Sequence, residues 1–158
     1  MTGVQTCALP ISILGGAGVD ALFGDDGNDF ISAGLAADTV SGGAGDDILY
    51  GGSGEDSVNG DAGNDVIRGN GGKDTLIGEA GDDRIYGDAG NDSILGGDGS
   101  DKLSGGTEND TVDGGNQDDV VRGDEGIDYV VGGNGNDTVS GGAGNDLVTG
   151  GAGRDYVF

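Results

Sequence analysis

Aspartate recurs at every ninth residue from Asp20 to Asp155, sixteen times without a miss. The series is Asp20, Asp29, Asp38, Asp47, Asp56, Asp65, Asp74, Asp83, Asp92, Asp101, Asp110, Asp119, Asp128, Asp137, Asp146 and Asp155. Carboxylates are hard oxygen donors, and a regular file of them suits a hard divalent cation. Calcium fits best, because it takes many oxygen ligands in adaptable geometry, whereas magnesium demands a strict octahedron. Zinc would call for His or Cys. The chain has no His, and its one Cys, Cys7, lies outside the periodic region. The lack of His also excludes a His-containing nucleophilic triad. Carboxylates arranged as a ladder leave no pocket between them, so no catalytic residue is expected.

The element that positions these carboxylates is a nine-residue unit. Gly15 to Phe158 divides into sixteen such units with no insertion or deletion, for example Gly42-Gly43-Ala44-Gly45-Asp46-Asp47-Ile48-Leu49-Tyr50. Position one is Gly except at Ala33, and position four is Gly except at Ala36, Glu108 and Gln117. Position six is always Asp, and position eight is always Leu, Ile or Val, from Leu22 to Val157. Nine residues are two and a half helical turns, so successive aliphatics would land on opposite faces of an α-helix and build no stripe. Frequent glycine would also cost about 1 kcal/mol per residue in a helix interior.

Strand and loop fit instead. Positions one to six, rich in Gly, Asp and Asn, read as a loop. Positions seven to nine read as a short strand whose middle residue points inward. All seven aromatics (Phe23, Phe30, Tyr50, Tyr86, Tyr129, Tyr156 and Phe158) fall at positions seven or nine and should lie on outer faces, where β-propensity explains them. If two units make one turn of a flattened coil, like positions recur every eighteen residues and the aspartates form two columns of eight. Adjacent turns lie about 4.8 Å apart, which gives a roll roughly 40 Å long. Carboxylates stacked about 5 Å apart repel by roughly 3 kcal/mol per pair at an effective dielectric of 20. Without a counter-ion the chain is therefore expected to be disordered, and ion binding becomes folding energy.

The pattern G-G-x-G-x-D-x-U-x, with U aliphatic, resembles the calcium-binding nonapeptide of RTX (repeats-in-toxin), hemolysin-type proteins, and the likeness covers residues 15–158. It implies an all-β, right-handed parallel β-roll, a β-helix solenoid of sixteen units in about eight turns. It further implies calcium between adjacent loops of one column, held by the position-six Asp side chains and loop carbonyls. Two columns of eight offer seven gaps each, so at most about fourteen ions. The sites doubted are those beside Glu108, Gln117 and unit 33–41, where motif glycines are missing. Asn or Asp at position five (Asn28, Asp46, Asn64, Asp82, Asn91, Asn109, Asp118, Asn136, Asn145) and acids at position two (Asp25, Asp61, Asp88, Asp124) suit turns, with an outer-ligand role as the alternative.

The resemblance also implies a secreted or cell-surface bacterial protein, exported by type I secretion and folding when it meets extracellular calcium. The alternatives are a structural or adhesive stalk, or an accessory module of a secreted protease, lipase or cytolysin whose catalytic domain lies elsewhere.

Composition agrees in direction. Thirty acidic residues against six basic ones give a formal charge of −24, with 40 Gly among 158 residues. Such a charge argues against nucleic acid, whose phosphates need Lys and Arg, and against anionic membrane surfaces. No apolar run approaches the roughly 20 residues of a membrane span. Strings resembling G-x-G-x-x-G lack the long strand and helix of a dinucleotide loop, and no EF-hand loop with its flanking helices is present. Residues 1–14 stand apart from the array. Met1–Ile11 (MTGVQTCALPI) resembles the translation of a sequencing-library adapter and is expected to be non-native. Residues 15–158 are then expected to be a fragment, with N- and C-terminal domains of the parent protein missing.

Overall fold

The computed structural model describes residues 9–158. The expectation for Cys7 and most of the Met1–Ile11 peptide falls outside them. Every regular element among the described residues is a β-strand, and every pairing is parallel. One sheet has nine strands: β1 (Ser12–Ala17), β3 (Phe30–Leu35), β5 (Ile48–Ser53), β7 (Val66–Gly71), β9 (Arg84–Ala89), β11 (Lys102–Thr107), β13 (Val120–Gly126), β15 (Thr138–Gly144) and β17 (Tyr156–Val157). The other has eight: β2 (Ala21–Phe23), β4 (Thr39–Ala44), β6 (Ser57–Ala62), β8 (Thr75–Ala80), β10 (Ser93–Asp98), β12 (Thr111–Asn116), β14 (Tyr129–Asn134) and β16 (Leu147–Ala152). Odd strands stack on odd and even on even, so the chain alternates between two sheets and completes a turn every two units. The register confirms the period: Ile31 pairs with Leu49, and Leu49 with Ile67, eighteen residues apart each time.

All the strands except β2 and β17 are longer than the three residues expected. They span positions seven to nine and run on through positions one to three of the next unit, as in Ile48–Ser53, which leaves only positions four to six as loop. Glycine at positions one and two suggested a turn, but each turn of the coil is flanked by neighbours that supply ladder partners, and pairing continues through Gly34↔Gly52 and Leu35↔Ser53. The backbone bends at position two without leaving the ladder. Side chains are tolerated there at positive φ, as at Asp61 (φ 71) and Asp88 (φ 71). The first strand begins at Ser12, so Ser12-Ile13-Leu14 pair with Phe30-Ile31-Ser32 and occupy positions seven to nine ahead of Gly15.

Burial alternates along each strand. Position eight faces inward, and the position-eight residues from Ile31 to Val139 are all at most 2% exposed. Position one, two residues further on, is the second inward position. There Ala33 places its methyl in the same apolar column. Leu22 and Val148 are only partly buried, and Val157 is exposed. The core is one aliphatic side chain per half-turn, thin but continuous. Position-nine and position-seven side chains lie on the outer faces, as Phe23, Phe30, Tyr129, Tyr156 and Phe158 show. Tyr50 packs its ring 5.7 Å from that of Phe30 on the neighbouring strand.

Candidate metal centre

All sixteen position-six aspartates stand at the loop-to-strand junctions in two columns, one along each edge of the flattened coil. The thirteen from Asp29 to Asp137 are buried, while Asp20, Asp146 and Asp155 at the two ends are half-buried. Their two carboxylate oxygens have different surroundings. Oδ1 accepts the backbone N–H of the position-six residue one turn earlier: Asp65 N–H donates to Asp83 Oδ1 at 2.8 Å, and Asp83 N–H to Asp101 Oδ1 at 2.8 Å. The chain of bonds continues through both columns, from Asp20 N–H on Asp38 to Asp137 N–H on Asp155. Oδ2 is buried and has no hydrogen-bond partner in fourteen residues, Asp20 through Asp137. Those fourteen are the residues that have another aspartate one turn ahead, so each inter-turn gap carries one orphaned carboxylate oxygen.

The position-one glycine makes room for that oxygen. A Cβ added at Gly42 would lie 2.3 Å from Asp47 Oδ2 and 2.8 Å from the carbonyl oxygen of Gly60 one turn ahead. At Gly78 the corresponding distances are 2.2 Å to Asp83 Oδ2 and 2.5 Å to Gly96 O. Two acceptor oxygens, one formally charged, thus approach the same point, and the carboxylate oxygen has no donor. A buried acceptor without a partner costs about 1–3 kcal/mol, and more when charged. A hard cation is the kind of group that satisfies such a pair. Sequence reading took the position-one glycine as a turn-former. Its φ is not positive, and close approach is what excludes a side chain there.

Electrostatics point the same way, with one change of emphasis. Burial is the main force raising the carboxyl pKa values in mid-column, and repulsion between neighbours adds to it, while the backbone hydrogen bond opposes both. Asp65, Asp83, Asp110 and Asp119 are pushed up to about 7, and Asp47, Asp74 and Asp101 to about 6. Like-charge repulsion alone, as the sequence suggested, is thus the lesser part of the penalty.

The doubted loops keep this geometry. Asp110 and Asp119, following Glu108 and Gln117, bond their neighbours at 2.8–2.9 Å, and Asp38 in unit 33–41 does so at 2.8 Å. Glu108 and Gln117 accommodate positive φ of 76 and 78. Among the described residues, no group of three or more His, Cys, Asp or Glu side chains forms a metal cluster. Any ion held here would draw on one or two carboxylates and on backbone carbonyls.

Position five forms a second ladder outside the first. Asn64 Oδ1 accepts the N–H of Asp82 at 2.8 Å, and Asp82 Oδ1 accepts the N–H of Ser100 at 2.8 Å. These bonds run toward the following turn, opposite to the position-six ladder. Along Asn28, Asp46, Asn64 and Asp82 the neutral and charged side chains alternate, so adjacent like charges are avoided. Three of the position-two acids find donors on the outer face: Asp61 accepts from Ser41 Oγ, Asp124 from Ser104 Oγ, and Asp88 pairs with Arg68 at 3.1 Å. The sequence showed these residues but gave no sign of these partners, which lie eighteen or twenty residues away.

A parallel coil of nonapeptides with buried carboxylate files along both edges is a Gly/Asp-repeat β-roll. The family model for the RTX calcium-binding nonapeptide repeat matches residues 12–40, 32–67, 59–94, 68–103, 95–130 and 122–157. The chain belongs to that family, and its repeats are calcium-binding repeats. No curated protein matches the chain.

Proposed function

We propose that this array is a non-catalytic module that folds when calcium fills the gaps between successive loops. The position-six carboxylates act as the side-chain ligands, through the Oδ2 atoms that lack a donor. The supporting observation is the set of fourteen orphaned Oδ2 atoms, one for each gap between stacked aspartates. Calcium supplies there the positive charge and coordination that no side chain provides. Modules of this kind in extracellular proteins bind calcium at about 10⁻⁴–10⁻³ M. The chain then stays extended in a calcium-poor cytosol and coils after export, which fits a secreted or cell-surface bacterial protein using type I secretion. As an accessory or stalk module it would leave any catalysis to other parts of the parent protein.

Counting bound calcium by equilibrium dialysis, at calcium concentrations that saturate folding, tests this reading. About ten or more ions per chain are expected, up to the fourteen gaps. One or two ions would mean that the carboxylate files are not the binding sites.

A further inference from the structure

Four of the six basic residues of this acidic chain share one outer face. Arg68, Arg84, Lys102 and Arg122 sit on four consecutive strands of the nine-stranded sheet, one per turn, at outward positions seven or nine. The eight strands of the other sheet contain no Lys or Arg. Arg68 has structural employment: it pairs with Asp88 and lies 4.3 Å over the Tyr86 ring. The other three do not. Among the described residues, Arg84, Lys102 and Arg122 form no ion pair, in a chain with thirty acidic residues. Arg84 and Lys102 are moreover direct cross-strand partners. Like charges so placed destabilise a sheet. A fold that tolerates this with no internal carboxylate in return presents the charges outward.

Between Lys102 and Arg122 lies a shallow recess of about 200 Å³, lined also by Tyr86, Leu103, Ser104 and Val120, with Arg84 outside it. Asp82 and Asp118 border the patch on its loop side. A bilayer or a nucleic-acid duplex is wider than a six-residue strand, about 20 Å. It would press its phosphates against the acidic loops on both edges. A narrow linear polyanion lying along the roll axis avoids them. Its charged groups must recur near the turn spacing of about 4.8 Å, whereas an extended peptide shows same-face side chains about 6.8 Å apart. A chain of sugar rings, each about one turn long, matches better, and Tyr86 offers its rings an apolar face.

We propose that the β9–β13 face binds an acidic polysaccharide bearing carboxylate or sulfate groups, and that it does so in the calcium-loaded state. The inference rests on the calcium reading above. Filling the fourteen gaps with divalent ions offsets the whole −24 charge. The acidic loops then stop screening the three cations.

The test measures binding of dextran sulfate to the full chain in saturating calcium, with uncharged dextran and poly-glutamate as comparison probes. Circular dichroism is recorded on each sample. The wild type is expected to bind dextran sulfate, to ignore dextran, and to lose affinity as salt rises. The triple variant Arg84→Gln/Lys102→Gln/Arg122→Gln should lose at least about tenfold in affinity, in keeping with removal of charge-assisted contacts. Its calcium-induced fold should not change, since all three side chains are exposed. The loop variant Lys73→Gln should bind like the wild type. Undiminished binding by the triple variant would overturn the proposal, because calcium bridging by the loops would then carry the ligand. Equal or tighter binding of poly-glutamate would overturn the assignment to a glycan. A folded wild type that does not bind overturns this proposal alone, and a chain that never folds in calcium overturns both.

Discussion

In the position-six aspartates from Asp29 to Asp137, Oδ1 accepts a backbone N–H while Oδ2 is buried without a donor, and a substitution can separate the two oxygens. In Asp83→Asn the side-chain carbonyl can still accept the Asp65 N–H, while the buried charge at Oδ2 is gone. The variant should fold no worse, and even better, without calcium, yet require more calcium for the transition. We expect its calcium midpoint to rise roughly twofold or more, in line with the loss of one hard oxygen ligand from a carboxylate-based site, as read by calcium titration. A midpoint at or below that of the wild type would remove Asp83 from the ligand set. The pH dependence follows from the same carboxyls. In Asp47, Asp65, Asp74, Asp83, Asp101, Asp110 and Asp119 the folded-state pKa is pushed up to about 6 or 7, above the ordinary value near 3.9. The folded coil then binds more protons than the unfolded chain between about pH 4 and 7, so calcium-free stability rises as pH falls through 7 and 6. In calcium-free buffer, β signal should increase from pH 8 to pH 5, still above the isoelectric point of about 4.1. If these carboxylates hold calcium as proposed, protons compete for them, so apparent calcium affinity should weaken over that range. The position-six residues themselves were plain in the sequence. The division of labour between Oδ1 and Oδ2 was not, because it depends on a backbone N–H eighteen residues away.

At the scale of the strand, the period-nine aliphatic marked the buried inward residue correctly from Ile31 to Val139, and only the end units depart from it. Strand length was less legible. Propensity reads Gly-Gly-Ala as a turn, but Gly42-Gly43-Ala44 lie in β4 because each turn finds hydrogen-bond partners in the turns before and after it. The unit at position eight carries the packing. Ile67 is fully buried between Leu49 and Ile85 of the neighbouring turns. Ile67→Ala should cost about 2–5 kcal/mol of folded-state stability, seen as a large rise in the calcium needed for folding. Val157→Ala, at a position 45% exposed, should shift it little. Equal effects of the two substitutions, measured by calcium titration, would mean that the core column does not hold the coil.

For the molecule as a whole, the sequence was almost sufficient. An unbroken nine-residue period, two units to a turn, dictates two sheets and two carboxylate columns, and contacts between successive turns do the rest. What the period hid was the unequal dress of the two faces, with strand cations confined to one sheet, and the weight of burial over repulsion in setting the carboxyl pKa values. Both depend on which turns lie side by side. On the proposed function, this coil exists because calcium neutralises and coordinates its buried carboxylates. The most direct measurement is a calcium titration of the full chain followed by far-ultraviolet circular dichroism, with magnesium as the matched control. A cooperative change from coil to β signal is expected at roughly 0.1–1 mM calcium, and none with magnesium at the same concentrations. A β signal already complete in chelator at neutral pH, or no transition at tens of millimolar calcium, would contradict it.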